Sequence, residues 1–287
     1  TRIRRPCRSP QPCAQLRDYQ LTGFRWLAGL TSRGLGACLA DDMGLGKTLT
    51  LIALHLHRQQ TPQTAGPTLV VCPASLLGNW RREIERFTPG TGALVHHGPK
   101  RRPPGETVAG GSDTVVLTTY ATMRLDCDVL ARTVWGGLVV ADEAQHLKNR
   151  AASVTRALRT IPGQARVALT GTPVENRLSD LWSILDAVTP GLLGPYAQFH
   201  RRYDGSAAED GTDRAAELAA LISPFVLRRT KSDPGDRPPS FRRRRRSTWT
   251  SRSPRNRPEC TRPSCARPWS RSRRATASGG AAASCRC

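Results

Sequence analysis

Ala40-Asp-Asp-Met-Gly-Leu-Gly-Lys-Thr48 lies between a short apolar run, Ala37–Ala40, and a helical pattern over Lys47–Arg58. Gly44 and Gly46 let the backbone turn tightly, so that successive N–H groups can point at phosphate oxygens, and the helix N-terminus adds its positive dipole end. Lys47 is then placed to reach the β- and γ-phosphates of a nucleotide, and the Thr48 hydroxyl to ligate Mg²⁺. Asp41 stands where the general pattern has its first glycine. A bare Gly-Lys-Thr is common by chance, so the surroundings have to decide.

Outward from this loop the chain alternates. Strands are expected at Ala37–Ala40, Thr68–Cys72, Leu94–His96, Thr114–Thr118, Gly137–Ala141 and Ala165–Leu169. Helices are expected at Leu16–Leu30, Lys47–Arg58, Ser75–Phe87, Tyr120–Ala131, Ala151–Leu158 and Leu178–Val188, with further helical segments at Gly191–Tyr203 and Arg214–Leu227. Gly98–Ser112 reads as an exposed loop. Strands apolar on both faces and separated by helices predict an α/β fold, a mainly parallel sheet with helices on both faces. Such sheets place ligands at the carboxyl ends of their strands, where the loop at residues 41–48 falls.

A second motif falls at the end of another strand. Leu138-Val-Val-Ala-Asp-Glu-Ala-Gln145 is an apolar run closing on two adjacent carboxylates. Asp142 is suited to hold Mg²⁺ through water and Glu143 to polarise an attacking water, because phosphoryl transfer needs positioning and charge stabilisation more than covalent chemistry. Asp-Glu at a strand end is common, but its place after the phosphate loop, with β/α units between, sets it on the same sheet.

Composition bounds the rest. Residues 1–231 hold 29 Lys and Arg against 19 acids, a surplus that fits a polyanionic partner and equally a soluble basic protein. Cys38, Cys72 and Cys127 read as reduced core residues; none of the nine cysteines has the paired spacing of a zinc site, so no structural metal is expected. With no signal peptide and no apolar run near a membrane span in length, the expectation is a soluble, cytoplasmic protein, nucleoid-associated in a bacterium, without membrane contact. Trp26 and Trp80 lie on apolar helix faces and read as core.

Seven ordered segments over residues 15–231 resemble the first motor lobe of the SWI/SNF-type family of DNA translocases in helicase superfamily two. They are Leu16–Trp26, the loop at residues 41–48, Leu69–Ser75 with Asn79-Trp80, Thr118-Thr-Tyr120, Asp142–Asn149, Leu169–Asn176 and Phe225–Lys231. The resemblance implies a RecA-like P-loop lobe that binds ATP and Mg²⁺ and hydrolyses ATP. It implies Gln20 as the adenine ligand, with Asp42, Met43, Gly44, Leu45, Gly46, Lys47 and Thr48 around the nucleotide. Catalysis would fall to Lys47, Asp142, Glu143 and Gln145, and metal binding to Thr48 and Asp142. Coupling and contact with the backbone of double-stranded DNA would fall to Pro73, Ser75, Thr118, Thr119, Thr170, Thr172 and Asn176. Taken singly, these Ser and Thr residues read as strand-end caps.

The expected organisation is a disordered leader at 1–14, the ATP-binding lobe at 15–190, a helical extension at 191–231 towards a second motor lobe, and a basic tail at 232–287. That tail has 15 Arg, 3 acids and almost no aliphatic residues, so no packed core is expected in it. Its composition is that of shifted-frame translation of GC-rich DNA; a genuine nucleic-acid-binding arm is the other reading. The family pattern stops soon after Lys231, which leaves two expectations for this polypeptide. One is a DNA-stimulated translocase ATPase, and the other a lobe that holds ATP·Mg²⁺ and nucleic acid without productive turnover.

Overall fold

A computed structural model describes residues 15–108, 113–133, 135, 137–149, 151–173, 177–204 and 211–232. The leader, nearly all of the basic tail and Asn176 lie outside the described residues.

Seven parallel strands form one sheet in the order β3-β4-β2-β5-β6-β1-β7. In chain order they are β1 (Ala37–Leu39), β2 (Thr68–Cys72), β3 (Gly92–His96), β4 (Thr114–Thr119), β5 (Leu138–Ala141), β6 (Ala165–Leu169) and β7 (Val226–Leu227). Helices α1 (Asp18–Thr31), α2 (Lys47–Gln59) and α3 (Ala74–Phe87) cover one face. The other face is covered by α5 (Tyr120–Leu125), α6 (Cys127–Arg132), α7 (Ser153–Thr160) and α8 (Leu178–Val188), after a short α4 (Pro104–Val108).

The period-2 geometry of a strand makes this two-sided burial work. Leu138 and Val140 face the Leu54–Trp80–Ile84 side, while Val139 and Ala141 face the Met123–Leu158–Leu185 side. The six expected strands all form, to within two residues. They are buried on both faces except β3, which lies at the sheet edge.

Three expectations need correction. The helix expected over Tyr120–Ala131 breaks at Asp126, whose backbone leaves the helical region (φ −108°, ψ 23°) and whose carboxylate is bound to Arg101 and His96. The loop Gly98–Ser112 contains α4, started by Pro104, a residue tolerated at the first helical position. The helix expected over Arg214–Leu227 ends at Ile222 as α10 (Gly211–Ile222). Val226 and Leu227 then pair in parallel with Cys38 and Leu39. The β-branched and apolar Val-Leu pair completes the sheet beside the strand that feeds the phosphate loop, so the extension returns to the lobe.

The extension also packs on the lobe through Trp182 of α8, Phe199 of α9 (Tyr196–Phe199) and Leu218 of α10. Among the described residues no helix is long and apolar enough to cross a membrane, and no cluster of His, Cys, Asp and Glu could hold a metal on its own.

Candidate active site

Strands β5, β6 and β1 are neighbours in the sheet, so the turns after them open side by side. The turn after β1 is the phosphate loop. Gly44 (φ +85°) and Gly46 (φ +78°) both take the left-handed backbone, and Gly46 is the N-cap of α2. A side chain at Gly46 would meet Gln20 as well, since a Cβ there would lie 2.2 Å from Gln20 Nε2. The Lys47 ammonium donates to the carbonyls of Asp41 (2.5 Å) and Asp42 (3.4 Å). Leu45 anchors the loop by burying its side chain, while Met43 stays 69% exposed.

Gln20 of α1 is buried against this loop. Its Nε2 donates to Leu45 O at 3.2 Å, and its Oε1 accepts from Arg17 N at 3.0 Å. Both ends of the amide are thereby fixed, which sets the edge of α1 beside the loop.

The turn after β5 carries the acidic pair. Asp142 Oδ2 accepts from Trp80 Nε1 at 2.8 Å and Oδ1 from Glu143 N at 2.9 Å. Tyr120 donates its hydroxyl to Asp142 O at 2.7 Å. Burial raises the Asp142 carboxyl from its ordinary value, against the hydrogen bonds from Trp80 and Glu143 N. Glu143 is the one non-glycine residue among those described with a positive φ, 51°. A left-handed backbone at a glutamate costs energy and is the kind of strain that concentrates at working sites.

The turn after β6 meets the second turn through a chain of side chains. Gln145 donates to Glu143 Oε2 at 2.9 Å, Thr170 donates to Gln145 Oε1 at 3.2 Å, and Thr172 N donates to Thr170 Oγ1 at 3.1 Å. Gly171 lies beside Met43 of the phosphate loop. The residues expected from three separate segments thus touch.

Lys47 and the acidic pair share one electrostatic site. Burial lowers the Lys47 pKa, opposed by the charges of Asp41, Glu143, Asp142 and Asp42. The residues fit ATP·Mg²⁺ by the chemistry of the donor set: left-handed glycines before a helix N-terminus, a lysine, a hydroxyl at Thr48, and a single oriented carboxylate. Mg²⁺ bound with nucleotide takes one or two carboxylates plus phosphate oxygens, and no further protein cage.

The residues expected at the DNA side divide. Pro73 caps α3 at the end of β2, and Ser75 is exposed at that helix start. Thr118 and Thr119 are buried: Thr118 donates to His96 O at 2.9 Å, and Thr119 donates to Thr122 Oγ1 at 2.9 Å while accepting from Thr122 N. Their hydroxyls cap strand and helix ends. Asn176 falls outside the described residues.

Several site residues escaped the sequence reading. Trp80 is core as expected, but its indole N–H also orients Asp142; a buried tryptophan needs an acceptor, and that was the available signal. Glu83, one helical turn on, accepts from Asn79 Nδ2 at 3.3 Å. Arg229 forms a buried ion pair with Asp41, with Nε 3.0 Å from Oδ1. An aspartate in place of a loop glycine, followed far downstream by an Arg-Arg pair, was the signal there.

A family model, the SNF2-related domain, matches residues 19–240. The chain belongs to the SNF2-related family. Among its SNF2-related relatives is YwqA of Bacillus subtilis, whose name places it with the ATP-dependent helicases and translocases. It is 44% identical over 228 residues, which make up 78% of this chain and 24% of that protein. The ISWI chromatin-remodeling complex ATPase ISW2 of Saccharomyces cerevisiae is 34% identical over 223 residues, 76% of this chain and 20% of that one. The SWI2/SNF2 ATPase core of Sulfolobus solfataricus in complex with double-stranded DNA superposes with a TM-score of 0.70 at 39% identity, over 79% of this chain and 47% of that one. The chain therefore spans a fifth to a quarter of these curated relatives and about half of the solved core. The RecA-like lobe expected of an SNF2-related chain is the fold observed, and the family match runs past Lys231 to residue 240.

Proposed function

We propose that this chain is the ATP-binding lobe of an ATP-dependent, DNA-stimulated translocase that acts on the backbone of double-stranded DNA. One observation carries the reading. Lys47 after β1 and the Asp142–Glu143 pair after β5 meet at one site, joined to Thr170 after β6 by Gln145.

The roles follow from placement. Backbone N–H groups of Gly44 and Gly46, with the start of α2, would cradle phosphate oxygens, and Lys47 would add its charge where negative charge builds during transfer. Thr48 and Asp142 would hold Mg²⁺, which supplies positive charge between phosphate oxygens when bound. Glu143, fixed by Gln145, would orient and polarise the attacking water. Gln20 would take the adenine edge. Thr170 and Thr172, at the end of the Glu143–Gln145 chain, would report the state of that site to the neighbouring turn.

The DNA reading is supported by the basic surplus of residues 1–231 and by the exposed start of α3 at Ser75. A cytoplasmic location beside the nucleoid belongs to the same reading. A second reading concerns this polypeptide alone: it holds ATP·Mg²⁺ and DNA without productive turnover. The composition of 232–287, with 15 Arg and hardly an aliphatic residue, favours it, because that stretch cannot supply a packed second lobe.

Titrating the 287-residue chain with ATP·Mg²⁺ tests the first point: binding is expected, with its loss in Lys47→Ala. Equal binding by both proteins overturns the nucleotide site. Hydrolysis with and without duplex DNA separates the two readings. An arginine finger from a second lobe is worth about 10³–10⁵ in rate, so a chain acting alone hydrolyses slowly and gains little from DNA.

A further inference from the structure

Asp41 is the departure from the general phosphate-loop pattern, and its carboxylate is 2% exposed. It is matched by Arg229, two residues beyond β7. Arg229 Nε donates to Asp41 Oδ1 at 3.0 Å, its Nη2 donates to Asp41 Oδ2, and its backbone N donates to Oδ1 at 3.2 Å. The same guanidinium donates through Nη1 to Tyr19 O, lies over the Tyr19 ring at 5.6 Å, and fills the space beside Gly23, where a Cβ would come 2.7 Å from Nη2. The backbone around it continues the tie: Asp42 N donates to Arg229 O at 3.0 Å, and Lys231 N donates to Asp42 Oδ2 at 3.1 Å.

These contacts join three pieces. One is the entry of the phosphate loop at Asp41 and Asp42. The second is α1 at Tyr19 and Gly23, the turn of helix that carries Gln20. The third is the segment leaving β7. We infer that Arg229 is a positioning residue of the nucleotide site, setting α1, and with it Gln20, at a fixed distance from the phosphate loop. The inference rests on the nucleotide-binding reading above and deepens it. A planar guanidinium suits the task, because its fork serves a carboxylate on one edge and a carbonyl on the other, which an ammonium cannot do at once. The glycine at position 23 leaves the room it needs.

The consequence is selective. A loop with its own glycines and Lys47 still receives phosphates when Arg229 is altered, while the base end loses its register. Calorimetric titrations of the full chain with ATP and with inorganic tripolyphosphate, both with Mg²⁺, read the two ends apart. In Arg229→Lys the ATP affinity is expected to fall about tenfold and the tripolyphosphate affinity by less than about threefold. The neutral double variant Asp41→Asn/Arg229→Gln removes both buried charges together, so it keeps the fold if the single variant does not, and the same selective loss is expected in it.

The failures are distinguishable. A wild-type chain that binds neither ligand sinks the nucleotide reading and this inference with it, and one that binds ATP no better than tripolyphosphate removes the base contact on which the inference depends. A wild-type chain that prefers ATP, with variants that keep the preference or lose both ligands by the same factor, leaves the site standing and removes Arg229 from it.

Discussion

The indole of Trp80 donates a 2.8 Å hydrogen bond to Asp142 Oδ2, so a helix on one face of the sheet fixes the carboxylate at the end of β5. Trp80→Phe keeps the ring and removes the donor. A buried hydrogen bond to a charged group is worth about 1.5–3 kcal/mol, so the variant is expected to melt several degrees lower. Its nucleotide binding should also need more Mg²⁺, because the oxygen proposed to bind the metal is no longer held. A melt by circular dichroism and a Mg²⁺ titration of nucleotide binding check both; unchanged values in each would remove Trp80 from the site.

Asp142 also predicts a pH effect. Its carboxyl is raised by burial, so the folded state binds the proton more tightly than the unfolded state, and the wild-type fold is relatively more stable at acid pH. Asp142→Asn removes the buried charge and keeps the acceptor for Trp80, giving up the one that Oδ1 offers Glu143 N. It is expected to melt higher than wild type at neutral pH, with the difference closing as pH falls through the raised pKa, while Mg²⁺-dependent nucleotide binding is lost. A difference that grows on acidification contradicts the sign.

Thr170 is bonded to Gln145, which is bonded in turn to Glu143. Thr170→Val is expected to lower the rate of ATP hydrolysis at saturating nucleotide about two- to tenfold, the worth of one neutral hydrogen bond, with ATP affinity unchanged. Single-turnover hydrolysis read beside equilibrium binding separates the two quantities.

The buried hydroxyl of Thr118 is satisfied by His96 O, whereas Ser75 is exposed. Thr118→Val should therefore cost about 1 kcal/mol of stability and leave duplex affinity as it is, while Ser75→Ala should weaken DNA binding about two- to tenfold. Fluorescence anisotropy at two salt concentrations measures this; the reverse pattern would return Thr118 to the DNA side.

Much of this was legible in the sequence because it is local. The strands read from apolar runs, and the phosphate loop from glycines that must turn left-handed before a helix. Asp142 and Glu143 read from a strand that ends on two charges. What stayed hidden is set by partners far along the chain. Val226-Leu227 is too short to announce a strand, and becomes one only because β1 offers it an edge. Trp80 looks like any apolar residue until Asp142 arrives beside it. Thr118 and Thr119 sit at a strand end where capping and ligand contact share one composition, and the structure adds the capping bonds to His96 and Thr122.

The closing of the sheet by β7 has a consequence for synthesis. Asp41 and Arg229 are 188 residues apart, and the tie between the phosphate loop and α1 is made only when they meet. At about 5–20 residues per second the ribosome takes roughly 10–40 s to make that interval. Both edges of nascent β1 stay unpaired until β6 is made, and the edge meant for β7 stays open to the end; a sheet edge left open is where wrong partners add. The part of the molecule read first is therefore tied down last, and the loop and α1 can be locked together only after the ribosome has passed Arg229.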